Sequence, residues 1–181
     1  MRVTMIVTGA VSAAHLPMYL SWLRRREAHG LERIVMTRSA EQFVSALSLR
    51  SIAGVPVVQD DWDSFSAADL HHVELGESSD IILVYPATVN YLMRVSLLAF
   101  DTPSVAAIAT GSCTTVLCPS LAPRIVEHPL YLAARDRIRA VPRYRMVEPV
   151  VGESLASAAP GAVPPPLWEL WPELEGMVNQ P

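Results

Sequence analysis

Three short clusters in this chain carry residues that could do chemistry. His71 and His72 stand side by side in His71-His72-Val73-Glu74-Leu75, just ahead of an apolar run, Ile81-Ile82-Leu83-Val84. An imidazole at a ligand edge is an acid or base that works near neutral pH, and Glu74 either orients it or faces solvent. Most histidines are structural; the position ahead of a buried strand is what points His72 to function. Asn90 closes the second cluster, Pro86-Ala87-Thr88-Val89-Asn90, where the apolar run meets a proline and polar groups. Its amide either caps the following helix or points at a carboxylate in a site. Pro119 marks a similar turn after a later apolar run. The third cluster is made of hydroxyls, in Thr8-Gly9-Ala10-Val11-Ser12-Ala13 and Met36-Thr37-Arg38-Ser39-Ala40. Gly9 allows close backbone approach. Ser12, Thr37 and Ser39 offer hydroxyls beside free helix N–H groups, an anion site suited to a phosphate. Each stretch is also an ordinary turn with a serine cap, and neither is a P-loop or a G-x-G-x-x-G. Two such turns on neighbouring strands can share one phosphate.

The elements that must position these groups are legible as apolar runs. Arg2–Val7, Arg33–Thr37, Asp80–Pro86, Thr114–Cys118 and Tyr144–Val150 read as strands. Between them, Leu16, Leu20 and Leu23 share one helical face, with Pro17 near the helix start and Gly30 as a stop. Ser39–Gly54 reads as a helix capped by Ser39, with Phe43, Val44 and Leu47 inward and Gly54 at its end. Leu92, Val95 and Ala99 share a face of the helix that holds Asn90, and Pro129 interrupts the start of a helix over Arg124–Val141. The alternation predicts an α/β fold, a parallel sheet with helices on both faces. Ligands of such sheets sit outside the carboxyl ends of the strands, where the hydroxyl turns and the Pro86–Asn90 stretch fall.

Bulk properties set limits. The chain has 181 residues, 51% apolar and 18% charged, with a net charge of −4. That suits one globular domain with a real core, and no basic footprint argues for nucleic acid. No apolar stretch approaches the roughly 20 residues of a membrane span, and Met1–Ala10 lacks the long apolar region of a signal peptide. A cytoplasmic protein is expected. Cys113 and Cys118 form no C-x-x-C pair and read as buried small hydrophobes in a reducing compartment; no metal site is expected. After residue 150 alanine, serine, glycine and proline dominate, and a tryptophan-bearing tail follows. Residues 1–150 are therefore read as the main domain, and 151–181 as a loop and a C-terminal arm.

Taken in order, Thr8–Ala13, Thr37–Asp60, His71–Leu75 and Asp80–Leu92 resemble the flavin-dependent cysteine decarboxylases. These homo-oligomeric FMN proteins include the coenzyme A pathway decarboxylase and the peptidyl-cysteine decarboxylases of lantibiotic maturation. His72–Leu75 matches the family's H-[IV]-x-L, and Pro86–Tyr91 its P-A-S-A-N-T. The resemblance implies a Rossmann-like (flavodoxin-like) subunit with FMN at a subunit interface in a homotrimer or homododecamer. It assigns the cofactor to Gly9, Ala10, Ser12, Thr37, Ser39, Pro86, Ala87 and Thr88, and catalysis to His72 and Asn90, the latter on the substrate carboxylate.

The departures from the family pattern concern the substrate. In the family's P-x-M-N-x-x-M-W, Met-Asn is here Leu121-Ala122 and Met-Trp is Ile125-Val126; the threonine after the asparagine is Tyr91. Glu153–Pro165 falls on the family's substrate clamp, where the coenzyme A enzymes carry a redox-active cysteine and this chain has Ser157. Serine has no accessible redox chemistry, so the oxidative branch fits. Asn90, Leu121 and Ser157 are the expected substrate contacts. The expected reaction is oxidative decarboxylation of the C-terminal cysteine of a ribosomally made precursor peptide to an aminoenethiol. The alternatives are a phosphopantothenoylcysteine decarboxylase, a non-catalytic flavin-binding regulator and, further off, a flavin prenyltransferase.

Overall fold

Strand β1 (Val3–Val7) is buried at all five positions, and the sheet grows outward from it. The computed structural model describes residues 1–26, 29–154 and 159–178. With β2 (Leu31–Met36), β3 (Val57–Gln59), β4 (Ile81–Thr88), β5 (Thr114–Ser120) and β6 (Tyr144–Met146), β1 forms a sheet in the order β3-β2-β1-β4-β5-β6. Every neighbouring pair is parallel. Strands covered on both faces need apolar residues at successive positions, which makes β1, β2, β4 and β5 readable; the short edge strand β3 is not among the strands expected, and β6 ends at Met146 rather than Val150. The fold is the expected Rossmann-like α/β class, doubly wound, with its order reversing between β1 and β4.

The helices divide between the two faces. Helices α1 (Leu16–Leu23) and α2 (Ala46–Ala53) pack over Met5, Val7, Ile34, Met36, Leu83 and Tyr85. Helices α3 (Trp62–Ala67), α4 (His72–Ser78), α5 (Val89–Ser96), α6 (Pro103–Thr110) and α7 (Pro129–Arg139) cover Ile6, Val35, Ile82, Val84 and Leu117.

Several local expectations need correction. The segment read as one helix over Ser39–Gly54 is a 3-10 turn, Arg38–Gln42, followed by α2. Ser45 is the cap, accepting the Ser48 N–H at 3.1 Å, and Gly54 ends the helix at φ +73. The break shifts the helical phase, so Phe43 and Leu47 face outward at 36% and 72% exposure while Val44 and Leu49 go inside. Pro129 begins α7 rather than interrupting it, a position where the missing N–H does no harm. Helix α5 stops at Ser96, so Ala99 lies beyond it.

The C-terminal stretch is more ordered than its composition suggests. β7 (Val150–Ser154) and β8 (Ala159–Val163) form an antiparallel hairpin. The hairpin is stitched to the exit of β5: Leu121 N–H donates to Ala162 O at 2.8 Å, and Ala162 N–H returns a bond at 3.3 Å. Alanine, glycine and proline carry little strand propensity, and this pairing supplies what propensity does not. Helix α8 (Leu167–Val178) buries Leu167, Leu170, Trp171 and Leu174 in the same cluster as Leu16, Leu20 and Leu23 of α1. The Trp171 indole N–H donates to His29 O at 3.1 Å, and Arg26 pairs with Glu175 at 3.0 Å. The arm is thus docked on the α1 face. Cys113 and Cys118 are both buried and free. Among the described residues, no helix is long and apolar enough to cross a membrane.

Candidate active site

The crevice of a doubly wound sheet opens where the strand order reverses, here between the carboxyl ends of β1 and β4. Thr8 leaves β1 at that point. Its hydroxyl donates to Pro86 O at 2.7 Å and accepts the Thr88 N–H at 3.0 Å. Thr8 is only 1% exposed, so the bridge is dry. Pro86-Ala87-Thr88 was expected to be a turn; it is the last part of β4, whose register with β5 shifts between Val84 and Ala87. Such an irregularity is where a central strand tolerates a residue with no N–H to give.

Asn90 is the second residue of α5, and it is exposed. The reading of Asn90 as helix cap is corrected: Thr88 Oγ1 accepts the Tyr91 N–H at 3.3 Å and fills that place. The amide of Asn90 is therefore left for another partner at the carboxyl edge of the sheet.

The turns that leave β1 and β2 lie against each other. A side-chain carbon at Gly9 would lie 2.6 Å from both Cβ and Oγ of Ser39, so only glycine lets the exits of β1 and β2 approach this closely. Thr37 donates its hydroxyl to Val7 O at 3.2 Å, which leaves Ser39 to donate to Thr37 Oγ1 at 3.1 Å. Ser12 is not a cap; it lies inside a 3-10 turn, Val11–His15, and its hydroxyl meets that of Ser120 at 3.0 Å. Neither this turn nor Arg38–Gln42 is closed by a capping side chain at Ala10 or Thr37. Hydroxyls from three strand exits, uncapped N–H groups and a close approach only glycine allows fit a phosphate-bearing cofactor. Ser120 directly follows Pro119, and no local pattern in the sequence singles it out.

His72 is the first residue of α4, with exposed His71 before it. Helix α4 leads the chain back to the start of β4, and His72 stands at the end of α4 away from that start. The His72 ring packs edge-on against Trp62, with centroids 5.5 Å apart and planes at 87°. Glu74 is exposed. Trp62 opens α3, which Asp61 caps by accepting the Ser64 N–H at 2.7 Å.

One constellation went unnoticed in the sequence. Asp60, 7% exposed, accepts the Ser104 N–H at 2.9 Å and the Ser104 hydroxyl at 2.7 Å. Tyr91 OH meets Ser104 Oγ at 2.6 Å. Burial pushes the Asp60 carboxyl above its ordinary range, against the opposing pull of the Ser104 donors, and pushes the Tyr91 phenol well up. Leu121 is buried beside the exit of β5, where its backbone holds the hairpin. Ser157 lies outside the described residues.

A doubly wound sheet with a phosphate-type cradle at its switch point describes a nucleotide-cofactor protein. The flavoprotein family model matches residues 1–166, and the chain belongs to that family. The cypemycin cysteine dehydrogenase (decarboxylating) of a Streptomyces species is 27% identical over 140 residues, covering 76% of this chain and 74% of that protein. The coenzyme A biosynthesis bifunctional protein CoaBC of Escherichia coli is 32% identical over 117 residues, 64% of this chain; the aligned part spans only 28% of that longer protein. Among solved structures, the FMN-dependent cysteine decarboxylase TvaF of thioviridamide biosynthesis superposes with a TM-score of 0.72 at 29% identity, over 82% of this chain and 90% of its own.

Proposed function

We propose that this protein is an FMN-dependent enzyme that oxidatively decarboxylates the C-terminal cysteine of a ribosomally synthesised precursor peptide, leaving an aminoenethiol. The observation that carries the reading is Asn90: an amide without capping duty, at the sheet edge that also holds the Gly9–Ser39 cradle. Kinship with the decarboxylating cysteine dehydrogenase, over about three quarters of both chains, supports it.

In this reading Gly9, Ala10, Ser12, Thr37 and Ser39 hold the phosphate of FMN, and Pro86, Ala87 and Thr88 line the rest of the cofactor site. FMN, when bound, supplies the two-electron acceptor that an oxidative decarboxylation needs. The Asn90 amide donates to the terminal carboxylate of the peptide and fixes the cysteine. An imidazole nitrogen of His72 takes the thiol proton as the general base. Relative to the substrate, the product lacks CO2 and two hydrogens. Leu121 and Ser157 complete the peptide site. Residues 1–150 carry the cofactor and 151–181 the clamp and arm. The enzyme works in the cytoplasm as a homotrimer or homododecamer.

Similarity to CoaBC favours a second reading, decarboxylation of phosphopantothenoylcysteine. Leu121-Ala122 in place of Met-Asn, and Ser157 in place of a cysteine, stand against it. The test is the visible spectrum of the freshly purified protein and the identity of any released chromophore. A yellow protein that releases FMN is expected. A colourless protein that cannot be loaded with FMN contradicts the reading.

A further inference from the structure

The hydrogen bonds around Ser104 have a fixed polarity. Ser104 spends its single hydroxyl proton on Asp60 Oδ2 at 2.7 Å. In the 2.6 Å contact with Tyr91, the phenol must therefore be the donor. The chain runs Tyr91 to Ser104 to Asp60, and Asp60 Oδ1 also takes the Ser104 N–H in the first turn of α6. All three residues are buried. Outside this chain, Arg94 lies over the Tyr91 ring at 5.6 Å and donates to Asp101 and Thr102 at 2.7 and 2.8 Å. Tyr91 thereby ties the start of α5 to the start of α6 from inside, and Arg94, in the last turn of α5, ties that end of the helix to the residues entering α6 from outside.

Asn90 sits next to Tyr91 in the first turn of α5, one buried and the other exposed. Turning this helix about its axis, or sliding it along, pulls the phenol off Ser104. The same segment reaches the other reacting group: Asp60 is followed by Asp61, which caps α3, and by Trp62, whose ring meets His72 at 5.5 Å. The buried carboxylate of Asp60 thus holds the Asn90 arm through Ser104, and the two residues after it lead to the His72 arm.

We infer that Tyr91, held through Ser104 by Asp60, is a positioning residue that aims the Asn90 amide at the substrate carboxylate and sets its placement relative to His72. The inference rests on the proposed peptide-cysteine reading. It gives Tyr91, the residue that departs from the family's threonine, a role in this protein.

The test is a double-mutant cycle on the flavin-loaded protein with a synthetic peptide ending in cysteine. Tyr91→Phe keeps the ring and removes the donor. A displacement on the order of 1 Å lowers kcat/KM by about 10- to 100-fold, and peptide affinity falls in parallel. Flavin content should not change. In an Asn90→Ala background, Tyr91→Phe should cause no further loss of peptide affinity, because the amide it aims is gone. Ser104→Ala, which removes the acceptor, should behave alike, so the test does not hang on one variant. Losses that multiply in the double variants, or Tyr91→Phe lowering Tm alone, overturn the inference while leaving the enzymatic reading intact. Wild-type protein that neither binds nor converts the peptide removes the reading, and the inference falls with it.

Discussion

Thr8 and Thr88 are joined by a 3.0 Å hydrogen bond across the switch point of the sheet, with the Thr8 hydroxyl also donating to Pro86 O at 2.7 Å. One buried side chain thus ties the exit of β1, which leads into the cradle, to the exit of β4, which leads to Asn90. Thr8→Val keeps the shape and leaves a carbonyl and an N–H unpaired. The expected loss of stability is about 1–3 kcal/mol, and flavin retention should fall with it. Denaturant unfolding and flavin absorbance check both.

His72 and Asn90 separate chemistry from binding. His72→Asn should retain the cofactor and lose turnover by at least about 100-fold, the usual weight of a positioned acid or base. Asn90→Asp should instead lose the peptide, because a second carboxylate repels the first. Peptide titration and single-turnover rates distinguish the two. Wild-type turnover by His72→Asn would remove that residue from the mechanism.

Asp60 gives a pH signature. Burial, the largest influence, raises its folded pKa above the ordinary 3.8. As pH rises, the unfolded chain releases this proton first, so the folded state holds the extra proton in between. The stability Asp60 contributes is therefore full below 3.8 and is lost as pH climbs through the raised value. Asp60→Asn has no such slope. Its stability relative to wild type, measured by denaturation across that window, should improve as pH rises. Parallel curves would contradict the assignment.

Helix α8 predicts a structural effect. Trp171 is fully buried, and its N–H reaches His29 O at 3.1 Å. Trp171→Ala should cost about 3–5 kcal/mol, read as a shift in the denaturant midpoint. An unchanged midpoint would mean that the arm is not docked in solution.

The inner strands were legible because strands covered on both faces must be apolar throughout, as β1 is; the half-buried, three-residue edge strand β3 carries too short a pattern to be read. Gly9 and Ser39 were legible because a close strand-to-helix turn demands small and hydroxyl residues. What escaped the sequence depends on partners far along the chain. Thr8 meets Pro86 across 78 residues, Ser12 meets Ser120 across 108, and Asp60 meets Ser104 across 44. No local pattern encodes such pairs. Phe43 and Leu47 were placed inward because the 3-10 turn at Arg38–Gln42 breaks the helical period that the reading assumed. The hairpin of β7 and β8 stayed hidden because its pairing onto Leu121, not its composition, shapes it.

The most direct test is to incubate the purified, flavin-loaded protein in air with a synthetic peptide ending in cysteine and weigh the product by mass spectrometry. The account predicts loss of CO2 plus two hydrogens. An unchanged peptide, or loss of CO2 alone, would contradict it.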